Sequence, residues 1–385
     1  MTHWLTQDEA TKTLGVRAQT LYSYVSRGRI EVCPDPTDAR RSLYRADDID
    51  DLIKRRERRR KPSVLAASTM SWGEPSITTT ISTIAKGRLY YRGRDAVAQS
   101  AAGTMEETAG LLWGMASPPD FPSVSVNTSP GETPRERAFR VLGRAAASGM
   151  PSQGRAGAVL YDEGAALIGL LASAFGDLPK GRDPLHRRLT RAWNGNEAAA
   201  DVIRRALVLL ADQELTSSAF AARVAASTGA PLAAAMLAGL ATLCGPLHGD
   251  MTVRVSSLFE EVARTGADQT LRRHISSGLP IPGFGHHLYP DGDPRAVALL
   301  DAFTPPADVT EMVEKVAALT GLRPTIDVAL AALVIRFDLP SDAAFSLFAV
   351  GRAVGWLAHS VEQGETGSLI RPRARYAGPP VTAIG

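Results

Sequence analysis

The chain has 385 residues, of which 44% are hydrophobic and 22% are charged, and these ordinary globular proportions argue against a disordered chain. Its length predicts two or three domains. Cys33 and Cys244 are the only cysteines, which excludes a disulfide framework and a zinc site built on cysteines.

The sequence indicates neither a targeting segment nor a membrane segment. The first ten residues, MTHWLTQDEA, lack the apolar core that follows the basic flank of a signal peptide. The most apolar stretch, 232–244, is rich in alanine and falls short of the about 20 residues that a membrane span requires. We therefore expect a cytoplasmic protein that does not associate with a membrane and that buries this stretch as a closely packed helix.

Residues 1–62 carry the positive charge of the chain, with 14 Lys and Arg against 10 Asp and Glu, whereas the remaining residues carry 29 against 30. Thr6 and Glu9 have the spacing of a capping box, which predicts the start of a helix. Gly15 ends that helix, and a second helix begins near Arg17, with an inner face made of Leu21, Tyr24 and Val25. Two helices joined by a tight glycine turn are typical of a helix-turn-helix.

A wing and a third helix are expected after this pair. The run Arg40–Arg45 predicts a strand, and the apolar residues that follow it have helical spacing: Ile49, Leu52 and Ile53. The segment resembles the excisionase-like and MerR-like winged helix-turn-helix domains, which implies binding to double-stranded DNA. Residues of this segment suited to contacts with phosphates and base edges are Arg17, Gln19, Thr20, Ser23, Arg27, Arg29 and Arg41. The alternative is a small interaction domain whose charges are merely solvated.

Residues 54–61, KRRERRRK, place seven basic side chains in one run with a single acidic one. Such a run is usually a solvated helix end or linker. Here it could also contact phosphates, because it directly follows the helix-turn-helix. The stretch 62–74 lacks periodicity and predicts a connector.

The rest of the chain is predicted to be almost entirely helical. A hairpin is expected at 81–93, followed by a helix at 106–113 and a loop rich in proline and serine at 116–130. Apolar residues then recur at three- and four-residue spacing through 135–147, 156–175, 185–193, 198–211 and 217–228. The predicted fold class is therefore all-α, with a small DNA-binding domain at 1–62 and a larger domain at 63–385.

Five short motifs follow one another in the second half of the chain, and each carries a side chain suited to chemistry. They are GPLHG at 245–249, PGFGH at 282–286, DPR at 293–295, PTID at 324–327 and RPR at 371–373. Three prolines prevent a helix or a central strand from running through 282–295. Gly283 and Gly285 allow the backbone of this loop to approach a ligand closely.

The ordered set of motifs resembles that of the citrate synthase family. The resemblance implies that Asp327 removes a proton from the methyl group of acetyl-CoA, that His248 stabilises the resulting enol, and that His286 donates a proton to the ketone of oxaloacetate. It also implies that Arg295 and Arg371 bind substrate carboxylates. The residues that it assigns to CoA binding are Pro282, Gly283, Phe284 and Gly285.

The sequence leaves the chemistry of several of these residues open. Asp327 lies in the first turn of a predicted helix, where the helix dipole lowers the pKa of a carboxylate, whereas burial would raise it. Arg295 could belong to a surface ion pair instead. His359 is expected to be a core or interface histidine and not a catalyst, and Asp250 adds a carboxylate close to His248.

Two departures from the family pattern concern substrate binding. In place of the family's H-x-D-H-E pattern the chain has Leu210–Glu214, so Gln213 stands where a histidine contacts oxaloacetate. Its amide donates hydrogen bonds but carries no charge. The family also draws a third carboxylate-binding arginine from the partner subunit, beyond the position of Arg371, whereas this chain ends at Gly385. We therefore expect a pocket that is short of positive charge and that binds oxaloacetate weakly.

The resemblance further implies a homodimer of two-part subunits, whose smaller part at about 250–340 closes over the substrate. The predicted activity is the condensation of acetyl-CoA with oxaloacetate to citrate and free CoA, without a metal or cofactor. One alternative is a 2-methylcitrate synthase that uses propionyl-CoA. Another is a DNA-binding regulator whose citrate-synthase-like domain senses an acyl-CoA or oxo acid without turnover. The presence of His248, His286 and Asp327 favours the enzyme, whereas the amino-terminal domain, Gln213 and the short tail favour the regulator.

Overall fold

The computed structural model describes residues 4–16, 18–26, 29–35, 38–60, 77–374 and 376–379. These residues form two compact units. The first unit consists of residues up to Thr78 together with those from Arg373 onward, and the second spans Thr79–Pro372. Arg17 and Arg27, two of the predicted DNA-contacting residues, lie outside the described residues, as does the predicted connector at 62–74.

The first unit combines short helices with a small antiparallel sheet. Its elements are β1 (Trp4–Leu5), α1 (Gln7–Leu14), α2 (Ala18–Ser26), β2 (Val32–Asp35), β3 (Asp38–Arg45) and α3 (Ala46–Arg60). The strands are ordered β1-β3-β2. A compact apolar core joins the helices to the sheet and contains Ala10, Leu14, Leu21, Ile30, Tyr44 and Ile49.

Local sequence signals set the boundaries of α1. The Thr6 hydroxyl accepts from the Glu9 amide, and the Glu9 carboxylate accepts from the Thr6 amide at 2.8 Å, which completes the capping box. Gly15 ends the helix with a φ of +61°, a left-handed conformation that glycine adopts without steric cost. The turn between α1 and α2 therefore follows from residues that the sequence already singles out.

The second unit begins with a three-stranded antiparallel sheet and continues as helices. The strands are β4 (Ser82–Ala85), β5 (Arg88–Tyr91) and β6 (Arg94–Asp95). The first helices are α4 (Ala96–Ala102), α5 (Met105–Trp113), α6 (Pro134–Ser148), α7 (Gly157–Phe175), α8 (Leu185–Ala192), α9 (Glu197–Leu210), α10 (Ser217–Ser227) and α11 (Leu232–Leu243). The last are α12 (Met251–Thr265), α13 (Ala267–Ser276), α14 (Pro294–Leu300), α15 (Ala307–Thr320), α16 (Ile326–Phe337) and α17 (Ala343–Thr366). The mostly helical character predicted from periodicity is confirmed, and the helix bounds agree with the predicted ones to within a few residues.

The long helix α17 forms the centre of the larger core. Every residue from Ala343 to Val361 is buried. The side chains predicted to share one side of it, Phe345, Phe348, Arg352, Trp356 and His359, are all buried. Two helices, α7 and α17, have the length and apolar character of a membrane span, but 61% and 100% of their apolar windows are buried inside the protein. Their composition is therefore accounted for by core packing.

A second, smaller apolar cluster is built from residues between Val255 and Ala332 on α12, α13, α15 and α16. Helix α16 contributes to both clusters. Its residues Ile326, Ala329, Leu330 and Leu333 pack into the larger core, at the three- and four-residue spacing of one helix face. Val328, Ala331 and Ala332 pack into the smaller one. Asp327, in the first turn of this helix, therefore lies where the two clusters meet.

Candidate active site

The PGFGH loop is held against the residues that precede α16. Gly283 and Gly285 have φ angles of +80° and +82°, which favour glycine. The Gly283 carbonyl accepts from the Thr325 amide at 2.8 Å, and the Gly285 amide donates to the Arg323 carbonyl at 2.9 Å. A Cβ on Gly283 would lie 2.5 Å from a methyl group of Val255. Only glycine therefore fits this position, and the pairing brings His286 and Asp327 into one region.

His286 has a defined tautomer. Its Nδ1 accepts a hydrogen bond from the backbone amide of Leu288 at 3.1 Å, so the proton of the neutral imidazole resides on Nε2. Burial, assisted by the positive charge of Arg295, lowers the pKa of His286 to about 4. The Nε2 atom lies 3.5 Å from the side-chain nitrogen of Gln213. His286 is therefore a neutral hydrogen-bond donor at neutral pH.

Arg295 is buried, which overturns the alternative that it belongs to a surface ion pair. Its Nε and Nη2 donate to the two carboxylate oxygens of Asp293 at 3.0 and 2.8 Å. Its Nη1 donates to the amide oxygen of Gln213 at 2.8 Å. Burial alone would raise the pKa of the Asp293 carboxyl. The Arg295 guanidinium outweighs this effect of burial and holds the pKa below its ordinary value. Gln213 is thereby oriented with its NH2 group towards His286.

Asp327 has the environment of a general base. One carboxylate oxygen accepts from the Thr325 hydroxyl at 2.9 Å, and the other is buried without a hydrogen-bond partner among the described residues. Burial raises the pKa of Asp327 to about 6, against the opposing effects of the Thr325 hydroxyl and of Arg295. Burial therefore prevails over these two opposing contacts, and the pKa lies above its ordinary value.

His248 follows α11 in a tight turn, in which its backbone amide donates to the Gly245 carbonyl at 2.9 Å. Its Nε2 lies 2.8 Å from the Ser218 hydroxyl, and its ring meets Phe348 edge-on at 6.0 Å between centroids. Burial lowers the pKa of His248 to about 3, so the ring is neutral. The carboxylate of Asp250 is paired with Arg135 at 2.7 Å and does not enter the site as an unpaired charge.

Arg352 is a site residue to which the sequence analysis gave no role. Its Nε donates to the Leu210 carbonyl at 2.9 Å, and its Nη1 donates to the Thr216 hydroxyl at 3.3 Å. Its Nη2 is buried and has no partner among the described residues. Burial lowers the pKa of Arg352 to about 10, and its charge also acts on His248. An arginine in the middle of an apolar helix is the signal that could have identified it.

Arg371 is not brought into this cluster. Its side chain is exposed, and no hydrogen bond or ion pair joins it to the part of the chain that the structure describes. His359 is fully buried; its Nδ1 lies 2.8 Å from Arg223 and its Nε2 lies 3.3 Å from Asp212. It is therefore a core histidine. Of the predicted CoA-binding residues, Pro282, Gly283 and Phe284 are buried and Gly285 is exposed.

The predicted DNA-contacting residues that the structure describes lie at the surface of the first unit. Gln19 and Thr20 are exposed on α2, and Arg29 is exposed after it. Arg41 is exposed on β3 and forms an ion pair with Asp38 at 3.3 Å. These side chains are thus accessible to a ligand.

A family model for the C-terminal domain of citrate synthase matches residues 166–373. Curated relatives include the citrate synthase of Haloferax volcanii, 36% identical over 195 residues, which covers 48% of this chain and 52% of that protein. Citrate synthase 2 of Bacillus subtilis is 32% identical over 241 residues, which covers 54% of this chain and 62% of that protein. The chain thus spans about half to three fifths of the length of these relatives.

Solved structures of citrate synthases share the fold. The enzyme from Thermotoga maritima superposes with a TM-score of 0.66 at 24% identity, over 81% of this chain and 96% of that one. The enzyme from Thermoplasma acidophilum was solved in a ternary complex with carboxymethyl coenzyme A and oxaloacetate. It superposes with a TM-score of 0.68 at 22% identity, over 82% of this chain and 97% of that one. Because the family model covers more than half of the chain, this protein belongs to the citrate synthase family.

Proposed function

We propose that the second unit catalyses a citrate-synthase-type condensation, in which the methyl carbon of an acyl-CoA adds to the ketone of a 2-oxo acid and the thioester is then hydrolysed. The observation that carries the proposal is the state of Asp327, whose pKa is raised to about 6 and which keeps one buried oxygen unpartnered. A base with a pKa near the working pH is effective in proton transfer. The solved complex with carboxymethyl coenzyme A and oxaloacetate supports the same pair of substrate classes.

His248 is assigned the stabilisation of the enol. The Nε2 atom of His248 lies within hydrogen-bond distance of the Ser218 hydroxyl. We assign the hydroxyl as the donor of this bond, which leaves the proton of the neutral imidazole on Nδ1 for donation to the thioester oxygen. A preorganised donor aimed at a developing oxyanion is among the largest contributions to catalysis. Because its pKa is about 3, His248 fulfils this role as a neutral donor throughout the neutral range.

His286 is assigned the activation of the ketone. Its Nε2–H, fixed by the Leu288 amide on the opposite nitrogen, polarises the carbonyl and supplies the proton of the new hydroxyl. Arg352, with its unpartnered Nη2, is assigned the carboxylate of the oxo acid, for which a guanidinium is well suited. The base, the acid and the oxyanion donor are all side chains, so the proposed reaction calls for no metal or cofactor.

The experiment that tests the proposal is the Asp327→Asn substitution, followed by thiol release from acetyl-CoA and from propionyl-CoA with a panel of 2-oxo acids. Removal of the base with little change of shape should lower kcat by at least about 100-fold and leave acetyl-CoA binding, measured by calorimetry, intact. The two acyl-CoA substrates distinguish citrate-type from 2-methylcitrate-type activity.

The matched control is the thermal stability of the same variant. The folded-state pKa of Asp327 lies above the ordinary value of 3.8, so this group contributes stability at low pH that is lost as the pH rises through about 6. Asp327→Asn should therefore unfold at the same or a higher temperature than the parent protein at pH 8. Turnover close to that of the parent would show that another residue is the base.

A second candidate function belongs to the first unit, for which we propose binding to double-stranded DNA. Its support is the succession of α1, a left-handed turn at Gly15 and α2, followed by the β2–β3 strands at the position of a wing. Gln19, Thr20 and Arg29 are exposed on or just after α2, where a recognition helix presents its contacts. The chain would then be either an enzyme with a DNA-binding module or a regulator that senses the ligand of the second unit.

A further inference from the structure

Thr325 occupies the N-cap position of α16, but its side chain does not cap the helix. Its φ and ψ angles of −92° and 173° are extended, as at an N-cap, yet the hydroxyl accepts no hydrogen bond from the first amides of the helix. A threonine at this position ordinarily satisfies one of these amides. Here the hydroxyl donates to Oδ2 of Asp327 at 2.9 Å. The Thr325 side chain therefore serves a carboxylate and not the backbone.

The backbone of Thr325 is held on both sides of its side chain. Its amide donates to the Gly283 carbonyl at 2.8 Å, in the loop that carries His286. Its carbonyl accepts from the Val328 amide at 3.1 Å, in the first turn of α16. The residue is buried, with 7% of its surface exposed, and burial limits the rotamers of the side chain. Thr325 thus joins the loop of the proposed acid to the helix of the proposed base.

The Thr325 hydroxyl is the one side-chain hydrogen-bond donor to Asp327 in the part of the chain that the structure describes. Oδ1 of Asp327 is buried and has no partner there. Burial raises the pKa of Asp327, and the Thr325 hydroxyl is the largest of the effects that lower it. The charged groups that act on Asp327 are Arg295, which lowers the pKa, and Asp293, which raises it. These two groups bind each other, and the backbone amide of Asp327 lowers the pKa further.

We propose that Thr325 is the positioning residue of the base: its hydroxyl fixes Oδ2 of Asp327 and leaves Oδ1 to take the proton of the acyl-CoA. The inference rests on the proposed condensation. In that step a C–H bond next to the thioester breaks, and its electron pair forms the C=C bond of the enol. The proton moves to Oδ1, while the π-electron pair of the thioester carbonyl moves to its oxygen, to which His248 donates. Because the hydroxyl donates to the ionised carboxylate, it also stabilises the charged form of the base.

The test separates the hydroxyl of Thr325 from its shape. Thr325→Val keeps the branched shape and removes the donor, whereas Thr325→Ser keeps the donor and removes a methyl group. Valine removes no helix cap, because the hydroxyl does not cap α16. Thr325→Ala is a second variant without the donor, for use if valine prevents folding. The matched control is Thr310→Val, at an exposed position of α15 where the hydroxyl donates to the Pro306 carbonyl at 3.2 Å.

The first measurement follows the titration of Asp327 without using activity. The free energy of unfolding is measured against pH for each protein with and without Asp327→Asn, and the difference isolates the titration of Asp327. The folded-state pKa of Asp327 is raised, so this difference falls as the pH rises and becomes constant above that pKa. The pH at which it becomes constant should rise by at least about 0.5 unit in Thr325→Val and Thr325→Ala. Thr325→Ser and Thr310→Val should leave it unchanged.

The second measurement is thiol release from acetyl-CoA with oxaloacetate over the same pH range. In Thr325→Val, kcat at pH 8 should fall by at least about tenfold, because the carboxylate loses its fixed orientation. The KM for acetyl-CoA should change by less than about threefold, since the hydroxyl contacts the base and not the substrate. The acid limb of kcat/KM should move to higher pH by at least about 0.5 unit. Thr325→Ser should restore the parent's kcat and acid limb.

The two measurements distinguish this inference from the proposed function. An unchanged titration of Asp327 in the variants without the hydroxyl, or an equal shift in Thr325→Ser, would overturn the role of Thr325. A kcat equal to that of the parent in Thr325→Val would overturn it as well. A shifted titration in a chain whose parent releases no thiol would support the contact between Thr325 and Asp327 and overturn the condensation.

Discussion

Individual side chains in this protein owe their chemistry to what surrounds them. Asp327 and Asp293 are both buried aspartates in the same region, yet the pKa of Asp327 is raised to about 6 and that of Asp293 is lowered. The difference arises because Asp293 faces the Arg295 guanidinium directly, whereas Asp327 faces a hydroxyl. Two carboxylates whose pKa values are driven apart by their environments are a common arrangement in active sites.

The raised pKa of Asp327 predicts the pH dependence of the reaction. A base must be ionised to accept a proton, so kcat/KM should be constant above pH 7 and should fall tenfold per unit at a pH below about 6. The pKa values of His286 and His248, lowered to about 4 and about 3, place their titration below this range. The pH–rate profile measures this. An acid limb centred near pH 4 would contradict the assignment of Asp327 as the base.

Sequence reasoning predicts most residues of this candidate site but not the balance of forces within it. The five ordered motifs, through the family that they resemble, predict His248, His286, Asp327 and Arg295 as site residues. The role of Arg352 was missed because its significance depends on its lack of an ion-pair partner, which is a property of the fold. For the same reason, whether burial or the helix dipole controls Asp327 could not be predicted from the residues alone.

Helices in this protein begin and end where local chemistry predicts, but their packing partners depend on distant residues. The capping boxes at Thr6, Thr104 and Thr133 are all formed, because each needs only residues three positions apart. The alanine-rich character of α11 predicts a close helix contact. One such contact is made to α17, where Gly239 lies against Trp356. This partner could not be predicted, because the two residues are far apart in the sequence.

The crossing of α11 and α17 provides a prediction about stability. A Cβ at Gly239 would lie 2.7 Å from the Trp356 ring, and Trp356 is fully buried. Gly239→Ala should therefore lower the free energy of unfolding by about 1–3 kcal/mol, as overpacked cores do. Denaturant unfolding measures the change.

The control for this prediction is Gly143→Ala on α6, where no atom lies within 4 Å of the added Cβ. There the gain in helix propensity should raise stability by about 1 kcal/mol or less. If both substitutions have the same effect, the close approach of α11 to α17 does not limit the packing.

At the scale of the whole molecule, α16 joins two apolar cores through two of its faces. A helix shared in this way is a natural axis for movement of one packed part against the other. We propose that the smaller cluster, within the 250–340 region, closes over the substrate in this way.

We also propose that two chains form the homodimer that the family resemblance implies. Light scattering of the purified chain tests the dimer directly. A monomer at micromolar concentration would contradict it.

DNA binding by the first unit is a further prediction at this scale. One helix-turn-helix contacts too few base pairs for high affinity, but a dimer doubles the contacts on a two-fold site. Because residues 1–62 have an excess of basic side chains, the affinity of the full chain for duplex DNA should fall steeply with added salt. Fluorescence anisotropy across a salt series measures this.

Arg29→Ala should weaken binding for all sequences and reduce the slope of log K against log salt by about 0.9 for the lost phosphate contact. Arg94→Ala, at an exposed position of the second unit, should leave both unchanged. If the full chain has no affinity for duplex DNA even at low salt, the first unit is an interaction module. The condensation proposed for the second unit would then stand alone, and the alternative of a DNA-binding regulator would lose its support.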